Sequence, residues 1–111
     1  MRRTPWMLLA TFGLVGLMAS PAQALDEDAA VALAKASKCT KCHSATKKKD
    51  GPPYAETAAK YKGKADAVDT LYAHLTTSPK IKVDGKEEEH TAVKSTDEGE
   101  IKNLIAYILS R

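Results

Sequence analysis

Cys39-Thr40-Lys41-Cys42-His43 constrains this chain more than any other five residues in it. Two thiols separated by two residues and followed at once by a histidine form the attachment pattern of a c-type haem. The spacing has a chemical basis. Each cysteine can bond one vinyl-derived carbon of a porphyrin, and the residue after the second cysteine then lies under the iron. Neutral imidazole is a good ligand for haem iron. Three other readings compete for the same residues. Cys39 and Cys42 could form a disulfide in an oxidising compartment. They could bind zinc together with two of His43, His74 and His90. They could form a thioredoxin-like redox pair, although no strand–helix–strand pattern surrounds them. The adjacent His43 and the export-like start of the chain favour covalent haem.

Arg2 and Arg3 open the sequence, an apolar run follows from Trp6 to Met18, and Pro21-Ala22-Gln23-Ala24 supplies small residues at a cleavage position. This is the layout of a secretory signal, with cleavage expected after Ala24 and the periplasm as destination. The run is shorter than the about 20 apolar residues that span a bilayer. Removing residues 1–24 from the 111 leaves 87, enough for one small domain over 25–111. Arg2 and Arg3 leave with that segment, so the net charge falls from +3 to +1. Met1, Met7 and Met18 also leave, as do Trp6 and Phe12, and the remaining aromatics are Tyr54, Tyr61, Tyr72 and Tyr107. So thin an apolar inventory makes a marginal core, which a haem would complete.

Four helical segments are readable in the remainder. Asp26 is a candidate cap for the first, with Glu27 and Asp28 near its positive end, and the segment runs to about Ser37. Lys47 to Pro53 reads as a turn region. A short helix follows over about Tyr54–Tyr61, closed by Gly63. The third spans about Asp66–Thr77, where Val68, Leu71, Tyr72 and Leu75 make one apolar stripe before Pro79 stops it. In the last, Ser95 and Glu98 suggest a capping box, and Ile101, Leu104, Ile105, Ile108 and Leu109 line one face. Between the last two helices, Asp84-Gly85 is a hairpin signal. A turn there sets Val83 opposite Lys86, Lys82 opposite Glu87 and Lys80 opposite Glu89; the competing reading is a polar loop.

This order of parts resembles the class I cytochromes c, especially the small bacterial type. The resemblance covers Ala29–Ser37, Cys39–His43, Gly51-Pro52, Tyr54–Thr77, Pro79–Lys94 and Asp97–Ser110. It implies an all-α class I cytochrome c fold, with short helices wrapped around one covalent haem c and first and last helices crossing; the short hairpin at 80–89 is what Asp84-Gly85 itself suggests. The resemblance also implies thioethers at Cys39 and Cys42, His43 as proximal iron ligand, and a Pro52 carbonyl accepting the His43 Nδ1 hydrogen. Tyr107 would sit at the helix crossing near Ala34. The family usually supplies a methionine from the loop before the last helix, and 25–111 contains none. His90 stands near that position. Read alone it is a solvated histidine beside Glu87-Glu88-Glu89; read by position it is the distal ligand of a bis-His iron. His74, on the third helix, reads as a propionate or core-edge histidine.

A haem iron with two histidine ligands has no open position, which implies outer-sphere electron transfer rather than catalysis, at a potential below that of His/Met relatives. Lys35, Lys38, Lys41, Lys47, Lys48, Lys49, Lys60, Lys62 and Lys64 crowd the expected haem edge. They read either as an ordinary solvated surface or as a rim for acidic redox partners of a monomer or small complex. Near-neutral charge and the absence of a recognition motif argue against nucleic acid. Two rival functions are a five-coordinate haem that binds a gas or small oxidant, and a cytochrome subunit of a periplasmic dehydrogenase. The small core predicts that the 25–111 chain without haem is largely unfolded; a thermal scan of the haem-free protein will show no cooperative transition.

Overall fold

The structure, a computed structural model, describes Gly13, Gly16 and residues 24–111. The proposed export segment therefore lies almost wholly outside the described residues. Element order is α1 (Glu27–Ala36), a single 3₁₀ turn (Cys39–Lys41), α2 (Tyr54–Tyr61), α3 (Ala67–Thr76), β1 (Lys80–Val83), β2 (Lys86–Glu89) and α4 (Glu98–Leu109). Among the described residues no helix is long and apolar enough to cross a membrane.

The first and last helices form the frame. Asp26 caps α1 by accepting the Ala29 amide at 3.0 Å. Its buried residues are Ala30 and Ala34, small enough to let α4 approach closely. The α4 side supplies bulk instead, with Ile101, Leu104 and Ile105 fully buried and Ile108 nearly so. Polar contacts tie the pair together outside the apolar seam. Asn103 donates to the Asp26 carbonyl at 2.8 Å and accepts its amide at 3.0 Å. Arg111 pairs with Glu27 at 2.6 Å.

Leu71 and Leu75 of α3, Tyr54 of α2 and Val93 of the following loop complete the core. Two elements differ from the sequence expectation. Val68 is 38 % exposed, and Ala67 takes the buried position beside Leu71 and Leu75. The stripe thus begins one residue earlier than its periodicity suggests, at Ala67. At α4 the cap is Asp97, which accepts the Glu100 amide at 2.9 Å. Ser95 stands outside the helix, donates to the Glu100 carboxylate at 2.6 Å and accepts the Asp97 amide at 3.1 Å. Two side chains thus share the work expected of one capping box.

The hairpin forms in the register that Asp84-Gly85 implies, with Lys80↔Glu89, Ile81↔Glu88, Lys82↔Glu87 and Val83↔Lys86. Asp84 and Gly85 both have positive φ, 50° and 78°, as a two-residue hairpin turn requires. Leu104 sits at the centre of the helix crossing with no exposed surface. Leu104→Ala should cost about 2–5 kcal/mol, read as a lower midpoint in denaturant unfolding of the haem-loaded protein.

Candidate haem site

The turn after α1 brings the motif residues to one side. Lys38 enters it in the left-handed conformation at φ 60°. The Cys42 and His43 amides both donate to the Cys39 carbonyl, at 3.1 and 2.8 Å. One helical turn places residues i, i+3 and i+4 on a common face, so both thiols and the imidazole are presented together. Cys39 and Cys42 are not joined in a disulfide, and each is half-buried. Burial pushes the Cys39 thiol above its ordinary value, and a backbone hydrogen bond opposes part of that shift.

The segment behind His43 folds back on the motif. The Gly51 amide donates to the Cys42 carbonyl at 2.8 Å, the Tyr54 amide to Ser44 at 2.9 Å, and the Ala55 amide to Ala45 at 3.1 Å. This strap sets the Pro52 carbonyl 2.7 Å from His43 Nδ1. With Nδ1–H donating there, Nε2 is the free lone pair of the ring. Gly51 is the residue that permits the approach. A side-chain carbon at that position would lie 2.8 Å from His43 Nδ1 and closer still to Cε1. The sequence marks Gly51-Pro52 as a turn, but this contact between backbone and ring is a tertiary fact.

On the other side, His90 follows the hairpin directly. Its amide donates to the Pro79 carbonyl at 2.9 Å, closing the base of the ladder. The loop beyond is held at two points: the Val93 amide donates to Leu75 and the Lys94 amide to the buried Ser37 hydroxyl, each at 2.9 Å. The His43 and His90 ring centres are 6.2 Å apart. His74 packs against His90 with ring centres 4.2 Å apart. Burial lowers the pKa of both His74 and His90. The fields of His43 and Lys60 add to the effect at His74, and those of His74 and His43 at His90. The Thr91 backbone opposes the His90 shift without reaching hydrogen-bond geometry. Both rings are therefore neutral near pH 7, the form that can ligate.

Tyr54 joins this cluster, a neighbour that the sequence reading did not single out. Its ring stacks on His43 at 5.8 Å between centres and meets the Tyr107 edge at 6.2 Å. Tyr107 thereby links α4 to α2, and Arg111 covers its other face at 4.6 Å. Burial, with the fields of Cys39 and Tyr107, pushes the Tyr54 hydroxyl pKa up to about 12, so it keeps its proton.

The residues fit a haem. Two cysteines and a ring with a free Nε2 share one face, and a second imidazole, that of His90, lies 6.2 Å from that ring. A nitrogen ligand sits about 2.0–2.1 Å from a first-row metal and the imidazole centre about 1.1 Å behind it, so imidazoles on opposite sides of one ion have centres about 6.2–6.4 Å apart. The His43–His90 separation matches that span, and the 4.2 Å between His74 and His90 is too short for it. Tyr54 Oη and His90 Nδ1, both buried beside His43, have no hydrogen-bond partner among the described residues. By contrast, among the described residues no group of three or more His, Cys, Asp or Glu side chains is arranged to hold a metal ion by itself.

The cytochrome c family model matches residues 27–111. The chain belongs to the cytochrome c family. A curated relative, cytochrome c-552 of Hydrogenobacter thermophilus, is 41% identical over 66 residues, which cover 60% of this chain and 58% of the relative. Among solved structures, the class 1 cytochrome MtoD of Sideroxydans lithotrophicus ES-1 superposes with a TM-score of 0.75 at 48% identity, over 78% of this chain and 97% of that one. The fold is that of a class I monohaem cytochrome c, mostly helical with a two-stranded hairpin, and the cofactor is one haem c held covalently through Cys39 and Cys42. Gly51→Ala will drive a methyl group into the His43 ring. A cost of about 1–3 kcal/mol is expected, as for overpacking elsewhere, together with a shift of the low-spin absorption bands of the haem-loaded protein.

Proposed function

We propose that the chain is an exported one-electron carrier whose haem iron is held between His43 and His90. The observation that carries this reading is the 6.2 Å between the two imidazole centres, in a chain whose residues 25–111 contain no methionine. Haem supplies a reversible one-electron couple when bound. His43 would be the proximal ligand through Nε2, with the Pro52 carbonyl fixing its tautomer and orientation. His90 would be the distal ligand, and His74 its packing neighbour rather than a ligand. With both positions filled by the protein, no substrate coordinates and electrons pass through the exposed edge. Replacing a thioether ligand by imidazole lowers the potential, so this carrier would work below His/Met relatives.

The proposed partners are redox proteins with acidic docking surfaces. All nine lysines from Lys35 to Lys64 are exposed, and Lys38 and Lys41 flank the cysteines directly. Their field would steer encounter and weaken with salt. Export to the periplasm rests on the sequence pattern of residues 1–24, which agrees with the covalent attachment of haem to paired cysteines.

Electron paramagnetic resonance of the oxidised protein tests the ligand assignment. A low-spin bis-imidazole signal is expected, and His90→Ala should convert it to high spin and open the reduced iron to carbon monoxide. A redox titration at the high potential typical of His/Met ligation, or a signal unchanged in His90→Ala, would overturn the reading. His74→Ala should leave the signal type unchanged.

A further inference from the structure

We propose that the β1–β2 hairpin is the device that aims His90: its register decides which way the imidazole faces. The inference rests on His90 as distal ligand. In a two-stranded ladder, residues directly opposite share a face and neighbours along a strand alternate. Val83/Lys86, Ile81/Glu88 and Pro79/His90 therefore lie on one face, the last pair joined by the His90 amide and the Pro79 carbonyl at 2.9 Å. Lys82/Glu87 and Lys80/Glu89 lie on the other. On β1 burial follows this division: Ile81 and Val83 are half-buried and Lys80 and Lys82 exposed, while all four residues of β2 are exposed. Lys80 and Glu89 pair across the outer face at 3.8 Å. The face that carries Ile81 and Val83 is thus the face that carries His90.

A period of two makes this arrangement all-or-none. Slipping β2 by one residue against β1 would send His90 to the outer face among the lysines and glutamates, away from His43. What prevents the slip is the turn. Asp84 and Gly85, both at positive φ, make a two-residue loop that admits one pairing. The outer-face charges reinforce it, since each lysine meets a glutamate in this register. The inner face contributes two apolar side chains. Residues that never touch the iron, Asp84, Gly85 and Lys82, would therefore control its sixth ligand as positioning residues.

Gly85 provides a clean test, because among the described residues nothing lies within 4 Å of a carbon added there. A substitution acts through the backbone at φ 78° and not through a clash. Valine is strained in that conformation, while asparagine adopts it readily. Four haem-loaded variants are compared with the native protein: His90→Ala, Gly85→Val, Gly85→Asn and Lys82→Glu, the last setting like charge against Glu87. The readouts are the low-spin signal of the oxidised form, the rate of carbon monoxide binding to the reduced form, and helical circular dichroism.

If the hairpin aims His90, Gly85→Val releases the ligand transiently. Carbon monoxide binding then speeds up about tenfold, in proportion to the open fraction, with helix content unchanged. Lys82→Glu moves the rate in the same direction by a smaller factor, and Gly85→Asn restores the native rate. A His90→Ala protein that loses the signal while Gly85→Val and Lys82→Glu bind carbon monoxide at the native rate overturns the hairpin inference and leaves the ligand assignment standing. A signal retained in His90→Ala overturns both.

Discussion

The hydrogen bond between His43 Nδ1 and the Pro52 carbonyl, 2.7 Å long, is the contact around which the rest of the molecule is arranged. It requires the chain to reverse within nine residues and bring a backbone carbonyl against the back of an imidazole. Three backbone hydrogen bonds from Gly51, Tyr54 and Ala55 to the segment after Cys42 hold that reversal. The same strap starts α2, so Tyr54 leaves it stacked on His43 and edged by Tyr107 of α4. A ligand set defined by five consecutive residues is thereby fastened to the far end of the chain.

The helices that carry this arrangement are short. Among the described residues the longest, α4, has 12 residues, and isolated helices of that length are marginal in water. Caps at Asp26 and Asp97 help locally. The larger contribution is tertiary, from alanines of α1 closing on the isoleucines and leucine of α4. The apolar set around that seam is small, and a covalent haem adds a rigid apolar surface that the side chains alone do not provide. In such a protein, cofactor attachment and folding are expected to be strongly linked.

The distal side is built by different means. No helix delivers His90. It sits at the foot of a hairpin whose base is closed at Pro79, and the loop beyond is pinned to α3 through Val93 and to the end of α1 through Lys94 and Ser37. His43 is thus held by sequence-local contacts and His90 by contacts spanning much of the domain. A point change in the loop or turn would be felt on the distal side first.

Much of this was legible beforehand, because the signals were local. Cys39, Cys42 and His43 declare their chemistry through spacing, Asp84-Gly85 declares a turn through its tolerance of positive φ, and the α4 stripe declares its buried face by period. Other features depend on neighbours distant in sequence. That Asp97 rather than Ser95 caps α4 depended on where the preceding loop delivered the chain. That Ala67 is buried and Val68 is not depended on how α3 lies against its neighbours. The close approach of Gly51 to the His43 ring, the stacking of Tyr54 and the placing of His74 against His90 are relations between segments. The sequence by itself determined the cofactor, its attachment and the helical framework, since each follows from residues in contact along the chain. The spacing of the three histidines was decided by tertiary structure alone, because it is set by packing between segments remote in sequence. Here the packing of the ligand loop puts the His90 ring 6.2 Å from that of His43 and 4.2 Å from that of His74.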